Sequence, residues 1–181
     1  MAYITDSNKI VGWMNDKELM YLYVAARSAK SIVEVGSWKG RSAHALASGC
    51  RGTVYCVDHF RGSPNELQTA HREAADTDIS EIFQENMKDF KNVEVLKMRS
   101  NRAAEQFEDN SIDMIFIDGT HTKPAVLTDL RSWYPKLRKG GLMTGHDAQY
   151  EEVREALNEF GKAWERIDGI ETIWRLICDR C

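Results

Sequence analysis

The sequence predicts an α/β fold: a doubly wound, mostly parallel sheet of seven strands with an antiparallel hairpin at its C-terminal end. Short β-branched runs alternate along the chain with segments of helical apolar periodicity. A glycine-containing turn, Gly36 to Gly40, joins the first of these runs to a helix. Near the C-terminal end, Asp168-Gly169 separates two strand-like runs, and Asp-Gly is a strong signal for a tight hairpin turn.

Two N-capping pairs predict where helices begin. Asn15 with Glu18 precedes an apolar helical face, and Asp78 with Glu81 opens the second half of a long helical region. Apolar periodicity between turn residues predicts the other helices. After the first helix, the predicted helical segments are 40–48, 64–90, 102–107, 124–137 and 150–161.

Runs rich in β-branched and aromatic residues predict the strands. In chain order these runs are 31–36, 53–58, 93–98, 112–118, 142–145, 163–167 and 171–177. The run from Ile112 to Asp118 is apolar over most of its length, as is typical of a central parallel strand covered on both faces. Gly140-Gly141 is predicted to be the turn that leads into the fifth strand.

Length and composition predict one globular domain over 1–181, with residues 1–30 as an N-terminal helical segment of that domain. The formal net charge is -4 and the Lys and Arg residues are scattered, so a nucleic-acid partner is not favoured. No apolar run approaches the roughly 18 residues that span a bilayer, and the first ten residues lack the pattern of a signal peptide. We expect a cytoplasmic protein with a small-molecule partner and no membrane partner. The sequence leaves open whether it forms a homo-oligomer.

The four cysteines are expected to be reduced thiols in a cytoplasmic protein. Cys178 and Cys181 have the spacing of a redox pair or of half a zinc site, but no second pair of this spacing exists. Cys56 lies in a strand-like run, where a small buried side chain is expected.

The turn after the first strand indicates which class of cofactor binds there. Glu34, Gly36, Gly40 and Ser42 form the pattern E-x-G-x-x-x-G-x-S. A dinucleotide site needs a glycine at the position of Trp38, so that the backbone can approach a pyrophosphate. The bulky side chain there argues against a nicotinamide cofactor.

Polar residues at the ends of the next two strands lie where ligands of a doubly wound sheet bind. Asp58, followed by His59, ends the second strand and is placed to accept hydrogen bonds from ribose hydroxyls. Its alternative role is that of a turn residue. After the third strand, Ser100 either accepts a hydrogen bond from an adenine amino group or caps the following helix.

The fourth and fifth strands should be neighbours, which would bring Asp118, His146 and Asp147 together. Two carboxylates suit a hard divalent ion such as Mg²⁺, whereas an imidazole ligand suits Mn²⁺, Fe²⁺ or Zn²⁺ better. The alternative is that Asp147 caps a helix and His146 packs in the core. His121 is the best candidate for a general base, because its ordinary pKa of about 6.5 allows proton uptake near neutral pH. It could instead order its loop or contact the cofactor.

Four segments of the chain resemble, in their residues and in their order, the small Rossmann-like methyltransferases that use S-adenosylmethionine. The resemblance is to the methyltransferase domain 24 group, akin to the catechol, caffeoyl-CoA and macrolide-sugar O-methyltransferases. It runs from about residue 12 to residue 161. The segments that carry it are Glu34–Ser42, Val57–Gly62, Ile117–His121 and Gly140–Asp147.

The resemblance implies an S-adenosylmethionine site and transfer of a methyl group to a hydroxyl of a small molecule. The candidate cofactor residues are Glu34, Gly36, Ser37, Gly40, Ser42, Asp58, His59, Ser100, Asn101 and Asp118. The candidate catalytic residues are His121 and Asp118, and the candidate metal ligands are Asp118, His146 and Asp147. Any lid would come from 1–15 or 61–80. A methyltransferase for nucleic acid or protein, a catalytically silent cofactor-binding module and a nicotinamide-dependent oxidoreductase stay open as alternatives.

Overall fold

The structure is a computed structural model that describes residues 6–63, 74 and 78–177. Its strands are β1 Ser31–Val35, β2 Thr53–Asp58, β3 Val93–Lys97, β4 Ile112–Ile117, β5 Leu137–Gly145, β6 Trp164–Ile167 and β7 Ile170–Leu176. Its helices are α1 Asp16–Ala26, α2 Arg41–Gly49, α3 Ser80–Met87, α4 Ser100–Ala104, α5 Lys123–Trp133 and α6 Glu151–Phe160. A 3₁₀ turn, Tyr134–Lys136, follows α5.

The seven strands form one sheet in the order β3-β2-β1-β4-β5-β7-β6. The first five strands of that order pair in parallel, and β7 is antiparallel to both of its neighbours. The predicted fold class is therefore confirmed. Because β1 lies at the centre, with β2 and β4 beside it and β5 next to β4, the loops after these four strands lie at one edge of the sheet.

Helices cover both faces of this sheet. On one face α1, α2 and α3 pack on Ile32, Val54 and Phe116. On the other face α4, α5 and α6 pack on Val33 and Ile115. The alternation along β1 explains the arrangement, because successive side chains of a strand point to opposite faces. Within the described residues, no helix is long and apolar enough to span a membrane.

The boundaries of four predicted elements are wrong. The helical region predicted over 64–90 ends at Met87. The helix predicted over 102–107 begins earlier, at Ser100, and ends at Ala104. The helix predicted over 124–137 ends at Trp133 and gives way to the 3₁₀ turn. Strand β5 begins at Leu137, five residues before the predicted start, because Gly140-Gly141 lies inside the strand instead of in a turn.

The two predicted capping pairs have different outcomes. Asn15 and Glu18 form a complete capping box at the start of α1. The Asp78 carboxylate accepts a hydrogen bond from the Ser80 backbone N–H at 2.9 Å, but Ile79 is the N-cap residue of α3 and makes no side-chain cap. The predictions for residues 64–73 and 75–77 and for Cys178 and Cys181 lie outside the described residues, as do the parts of the predicted lid segments that fall there.

Candidate active site

The loop between β1 and α2 has a backbone shape that its glycines allow. Gly36 has φ +89°, and a Cβ there would overlap the backbone carbonyl of Asp118. Gly40 has φ +96° and is the N-cap residue of α2. A Cβ on Gly40 would lie 3.3 Å from the ring of Phe83. The ends of β1 and β4 can therefore approach each other closely only because position 36 has no side chain.

Asp58 joins this loop to the loop after β2. Its carboxylate accepts a hydrogen bond from the Trp38 backbone N–H at 2.8 Å and another from the Phe60 backbone N–H at 2.6 Å. Trp38 and Phe60 both have positive φ, 48° and 58°. Since this conformation is uncommon for bulky residues, the carboxylate of Asp58 helps to hold both turns in place. Asp58 also lines a cavity, so a ligand role and a turn role are compatible.

Two connected cavities lie over the carboxyl ends of the central strands. The smaller has a volume of about 380 Å³ and the larger about 1080 Å³. Both are lined by Gly36, Trp38 and Asp118, which form the junction between them. The larger cavity also contains Ser37, Ser42, His121, His146 and Asp147. The smaller cavity also contains Asp58, His59, Ser100, Asn101 and Asp129.

A cluster of two carboxylates and two imidazoles lies at the junction. The His121 Nε2 atom is 2.6 Å from the Asp147 Oδ2 atom. The His146 Nδ1 atom is 3.2 Å from Asp147 Oδ1 and 3.6 Å from Asp118 Oδ1. Asp147 has φ +65°, and the N-cap residue of α6 is Tyr150. The Asp147 side chain therefore faces the histidines and does not cap that helix.

Glu18, which the sequence predicts only as a capping residue, is a further member of this cluster. Its side chain is buried, and its Oε1 atom lies 3.2 Å from His146 Nε2. The Thr172 hydroxyl donates to the same oxygen, and the Asn15 backbone N–H donates to the other at 2.6 Å. The capping box of α1 thus holds the Glu18 carboxylate at the edge of the sheet where the central strands end.

Burial and mutual charge shift the protonation of this cluster. Three carboxylates, those of Asp118, Asp147 and Glu18, surround His146 and raise its pKa to about 11 against the opposing effect of burial. Burial raises the pKa of Asp118 well above its ordinary range, and the neighbouring Asp147 carboxylate adds to the rise. Hydrogen bonds from His121 and His146 hold the pKa of Asp147 below its usual value, although burial acts in the opposite direction. The result is a site that keeps one proton on His146 and negative charge on Asp147.

The far end of the smaller cavity contains a second polar group. The Trp133 indole N–H donates to the Ser100 hydroxyl at 2.7 Å. Ser100 faces the carboxyl of Asp129, which is 7% exposed. Burial raises the pKa of Asp129 to about 6, and the hydrogen bond from Ser100 partly offsets this. Asp129 was not a sequence candidate, although a charged residue on the apolar face of α5 was a signal for it.

Two predicted residues lie beneath the site and line neither cavity. Glu34 is fully buried, and within the described part of the chain neither of its carboxyl oxygens has a well-formed hydrogen bond. Burial raises the pKa of Glu34 to about 7, and the nearby Ser37 and Ser42 hydroxyls partly oppose this rise. Gly40, the second, packs on α3. Both residues shape the loop from below.

Aromatic side chains form the outer wall of the larger cavity. The Trp13 and Trp38 rings lie 5.6 Å apart, and the His121 and Tyr150 rings lie 5.3 Å apart. Trp13 is 58% exposed and Tyr150 is 49% exposed, which is unusual for such large side chains. These rings leave an apolar surface beside the carboxylates.

Comparisons with known proteins agree with this geometry. The family model described as a methyltransferase domain matches residues 33–148, a range that contains the glycine loop and Asp118, His121, His146 and Asp147 of the cluster, but not Glu18. An uncharacterized protein of Sinorhizobium fredii is 26% identical over an alignment of 152 residues that covers 79% of this chain. The match spans only 15% of that relative, so the chain corresponds to a small part of it.

Solved structures share the fold over nearly all of this chain. An O-methyltransferase from Bacillus cereus in complex with SAH (S-adenosylhomocysteine) has a TM-score of 0.65 and 16% identity, covering 97% of this chain and 90% of that one. An SAH-bound methyltransferase from Podospora anserina has a TM-score of 0.68 and 13% identity, covering 97% of this chain and 85% of that one. At such identities the likeness is one of fold.

Proposed function

The chain belongs to the methyltransferase domain family and is a Rossmann-like methyltransferase dependent on S-adenosylmethionine, and we propose that it methylates a hydroxyl of a small molecule. The observation that carries this proposal is the position of the carboxylate–histidine cluster. Asp118, His121 and Asp147 each offer a ligand atom within 4.8 Å of the others, on the wall of a cavity continuous with the glycine loop. Groups that remove a hydroxyl proton thus lie beside the methyl donor's expected place.

We assign the smaller cavity to the adenosine end of the cofactor. We assign the larger cavity to the methionine end of the cofactor and to the acceptor. Asp58 and His59 would bind the ribose, and Ser100 with Asn101 would line the adenine end of the smaller cavity. Gly36, Ser37 and Ser42 would contact the methionine part. Two features support this fit: the Ser37 hydroxyl is buried without a well-formed hydrogen bond among the described residues, and Gly36 leaves the junction open. When bound, S-adenosylmethionine supplies an electrophilic methyl group on its sulfonium.

His121 is the proposed general base. In the overall reaction the acceptor oxygen gains the methyl group, the bond between sulfur and methyl breaks, and the hydroxyl proton passes to His121. The Asp147 carboxylate, 2.6 Å from His121 Nε2, would stabilise the imidazolium that forms. His146 has both ring nitrogens directed at carboxylates, so it holds Asp118 and Asp147 in place rather than accepting the proton.

The cluster also fits a divalent ion. Mg²⁺ is commonly held by one or two carboxylates, with water and substrate oxygens in its other positions. Asp118 and Asp147 would supply those carboxylates, and the ion would lower the pKa of a bound hydroxyl. His146, the third predicted ligand, hydrogen-bonds through both nitrogens, so we give it a role in orienting the carboxylates.

The outer part of the larger cavity suits a ring-bearing acceptor. Trp13, Trp38 and Tyr150 offer apolar faces there, and Glu151 and Glu152 offer acceptors for hydroxyl groups at the rim. A phenol or a sugar has this combination of ring face and hydroxyls. Both are therefore included in the acceptor screen.

Calorimetric titration with S-adenosylmethionine, with and without Mg²⁺ and with NAD as the control ligand, tests the cofactor assignment. We expect a dissociation constant on the order of micromolar for S-adenosylmethionine and no binding of NAD. Absence of S-adenosylmethionine binding under both conditions would overturn the proposal.

Release of SAH during incubation with phenols and sugars tests the reaction. His121→Asn should lower kcat by about 10²- to 10⁴-fold and leave the cofactor dissociation constant within about threefold of wild type, because the change removes only the base. Asp89→Asn, an exposed carboxylate far from the cavities, is the matched surface control and should behave as wild type. An unchanged kcat in His121→Asn would contradict the assignment of the base.

A further inference from the structure

Asp129 is a buried carboxyl that the proposed reaction does not use. It lies on α5 among the buried apolar residues Val126, Leu130 and Trp133, and yet it lines the smaller cavity. A carboxyl on the apolar face of a helix costs free energy unless a partner compensates for its burial. Ser100 supplies one hydrogen bond, whereas a carboxylate has about four acceptor sites.

The hydrogen bonds around Ser100 have a fixed direction. An indole N–H can only donate, so the Ser100 hydroxyl accepts from Trp133 at 2.7 Å. A hydroxyl has a single hydrogen, which Ser100 can therefore donate to the nearby carboxyl of Asp129. Ser100 therefore orients the carboxylate of Asp129, which keeps most of the acceptor capacity at this end of the cavity.

Gly119 leaves this carboxylate accessible from the cavity. A Cβ on Gly119 would lie 3.6 Å from Asp129 Oδ2 and 3.7 Å from Val35 Cγ1, so within the described residues no side chain separates the carboxylate from the space over the glycine. Gly119 and Asp129 both line the smaller cavity, as does Asp58. A nucleoside with its ribose at Asp58 would thus have its base in the same cavity as Gly119 and Asp129.

We propose that Asp129 accepts a hydrogen bond from the exocyclic amino group of adenine and makes the site specific for a 6-aminopurine. The inference rests on the proposed use of the smaller cavity for the adenosine of S-adenosylmethionine. A 6-aminopurine presents two N–H donors at this position, whereas a 6-oxopurine presents a carbonyl oxygen that a carboxylate repels. Asp129 recognises the base, and Ser100 is its positioning residue.

The test compares SAH with its deaminated analogue, S-inosylhomocysteine, by calorimetric titration of the full chain. Wild type should bind SAH about 30-fold more tightly, because the analogue leaves a charged acceptor unpaired. In Asp129→Asn the ratio should fall to within about threefold, since the amide can accept from an amino group or donate to a carbonyl. A purely structural role would weaken both ligands equally and leave the ratio unchanged.

Asp89→Asn is the matched control and should keep the wild-type ratio. If Asp129→Asn does not fold, Ser100→Ala replaces it, and there the ratio should fall at least about threefold because the carboxylate is no longer oriented. An unchanged ratio in the folded variant would overturn the inference, as would equal binding of both ligands to wild type. Failure of wild type to bind SAH would instead refute the adenosine assignment on which the inference rests.

Discussion

Replacing Glu34 by Gln should change how the stability of the protein depends on pH. Glu34 is the next-to-last residue of β1, paired with Cys56 on one side and with Phe116 on the other, and it is fully buried. Burial raises its pKa from 4.5 to about 7. The substitution keeps the shape of the side chain and removes its ionisation.

The direction and size of the effect follow from linkage. Between pH 4.5 and pH 7 the unfolded chain has lost the Glu34 proton while the folded chain retains it. The contribution of protonated Glu34 to stability is therefore fully present below pH 4.5 and is lost as the pH rises through 7. The difference between a pKa of 4.5 and one of about 7 corresponds to about 3.5 kcal/mol. Glu34→Gln should lack this loss.

Urea unfolding at four values between pH 4.5 and pH 7.5 measures the effect as a difference from wild type. Other buried acids contribute to both proteins, so only the difference between their pH profiles reports on Glu34. Glu94→Gln, an exposed glutamate on β3, is the control and should run parallel to wild type. Parallel profiles for Glu34→Gln and wild type would refute the assigned protonation of Glu34.

Three further changes test the rest of the site. Asp58→Ala should weaken SAH binding and lower the free energy of unfolding by about 3 kcal/mol, because two backbone N–H groups lose a charged acceptor; unchanged SAH affinity in calorimetry would remove Asp58 from the ribose site. Asp118→Asn should weaken binding of Mn²⁺, used as a spectroscopic probe, at least about tenfold relative to Asp89→Asn, and full turnover in EDTA would argue against metal assistance. Gly145→Ala should destabilise the fold by about 1–3 kcal/mol in urea unfolding, since its Cβ would overlap the Trp174 ring; a variant as stable as wild type would contradict the packing around β5.

The sheet was predictable from the sequence because its strands combine long apolar runs with short turn signals. The error at β5 has a definite cause. The sequence predicts a turn at Gly140-Gly141, since glycine pairs usually break regular structure. In the structure a Cβ on Gly141 would come within 2.9 Å of the Asp113 carbonyl, and the register with β4 shifts near that point. Glycine is required there by close approach of two strands, which a local pattern cannot reveal.

The residues that end the central strands were also predictable, because parallel strands place their carboxyl ends at one edge. Asp118, His146 and Asp147 lie together for that reason. Glu18 and Asp129 were missed because helices deliver them. The contact between Glu18 and His146 joins residues 128 positions apart, and depends on how α1 packs on the sheet. The local sequence pattern accounts for Glu18 as a capping residue, so it gives no sign of the second contact, with His146.

That second contact is the reason for proposing His121, and not His146, as the general base. The sheet edge alone would leave His121 and His146 as equal candidates, since both reach Asp147. Glu18 adds a carboxylate on the far side of His146, and the pKa of that imidazole rises to about 11, so its proton is retained at neutral pH. An imidazole that keeps its proton cannot accept one from a substrate. The contact made by the N-terminal helix thus supports His121, which lies beside Asp147 and Tyr150, as the proposed acceptor of the hydroxyl proton.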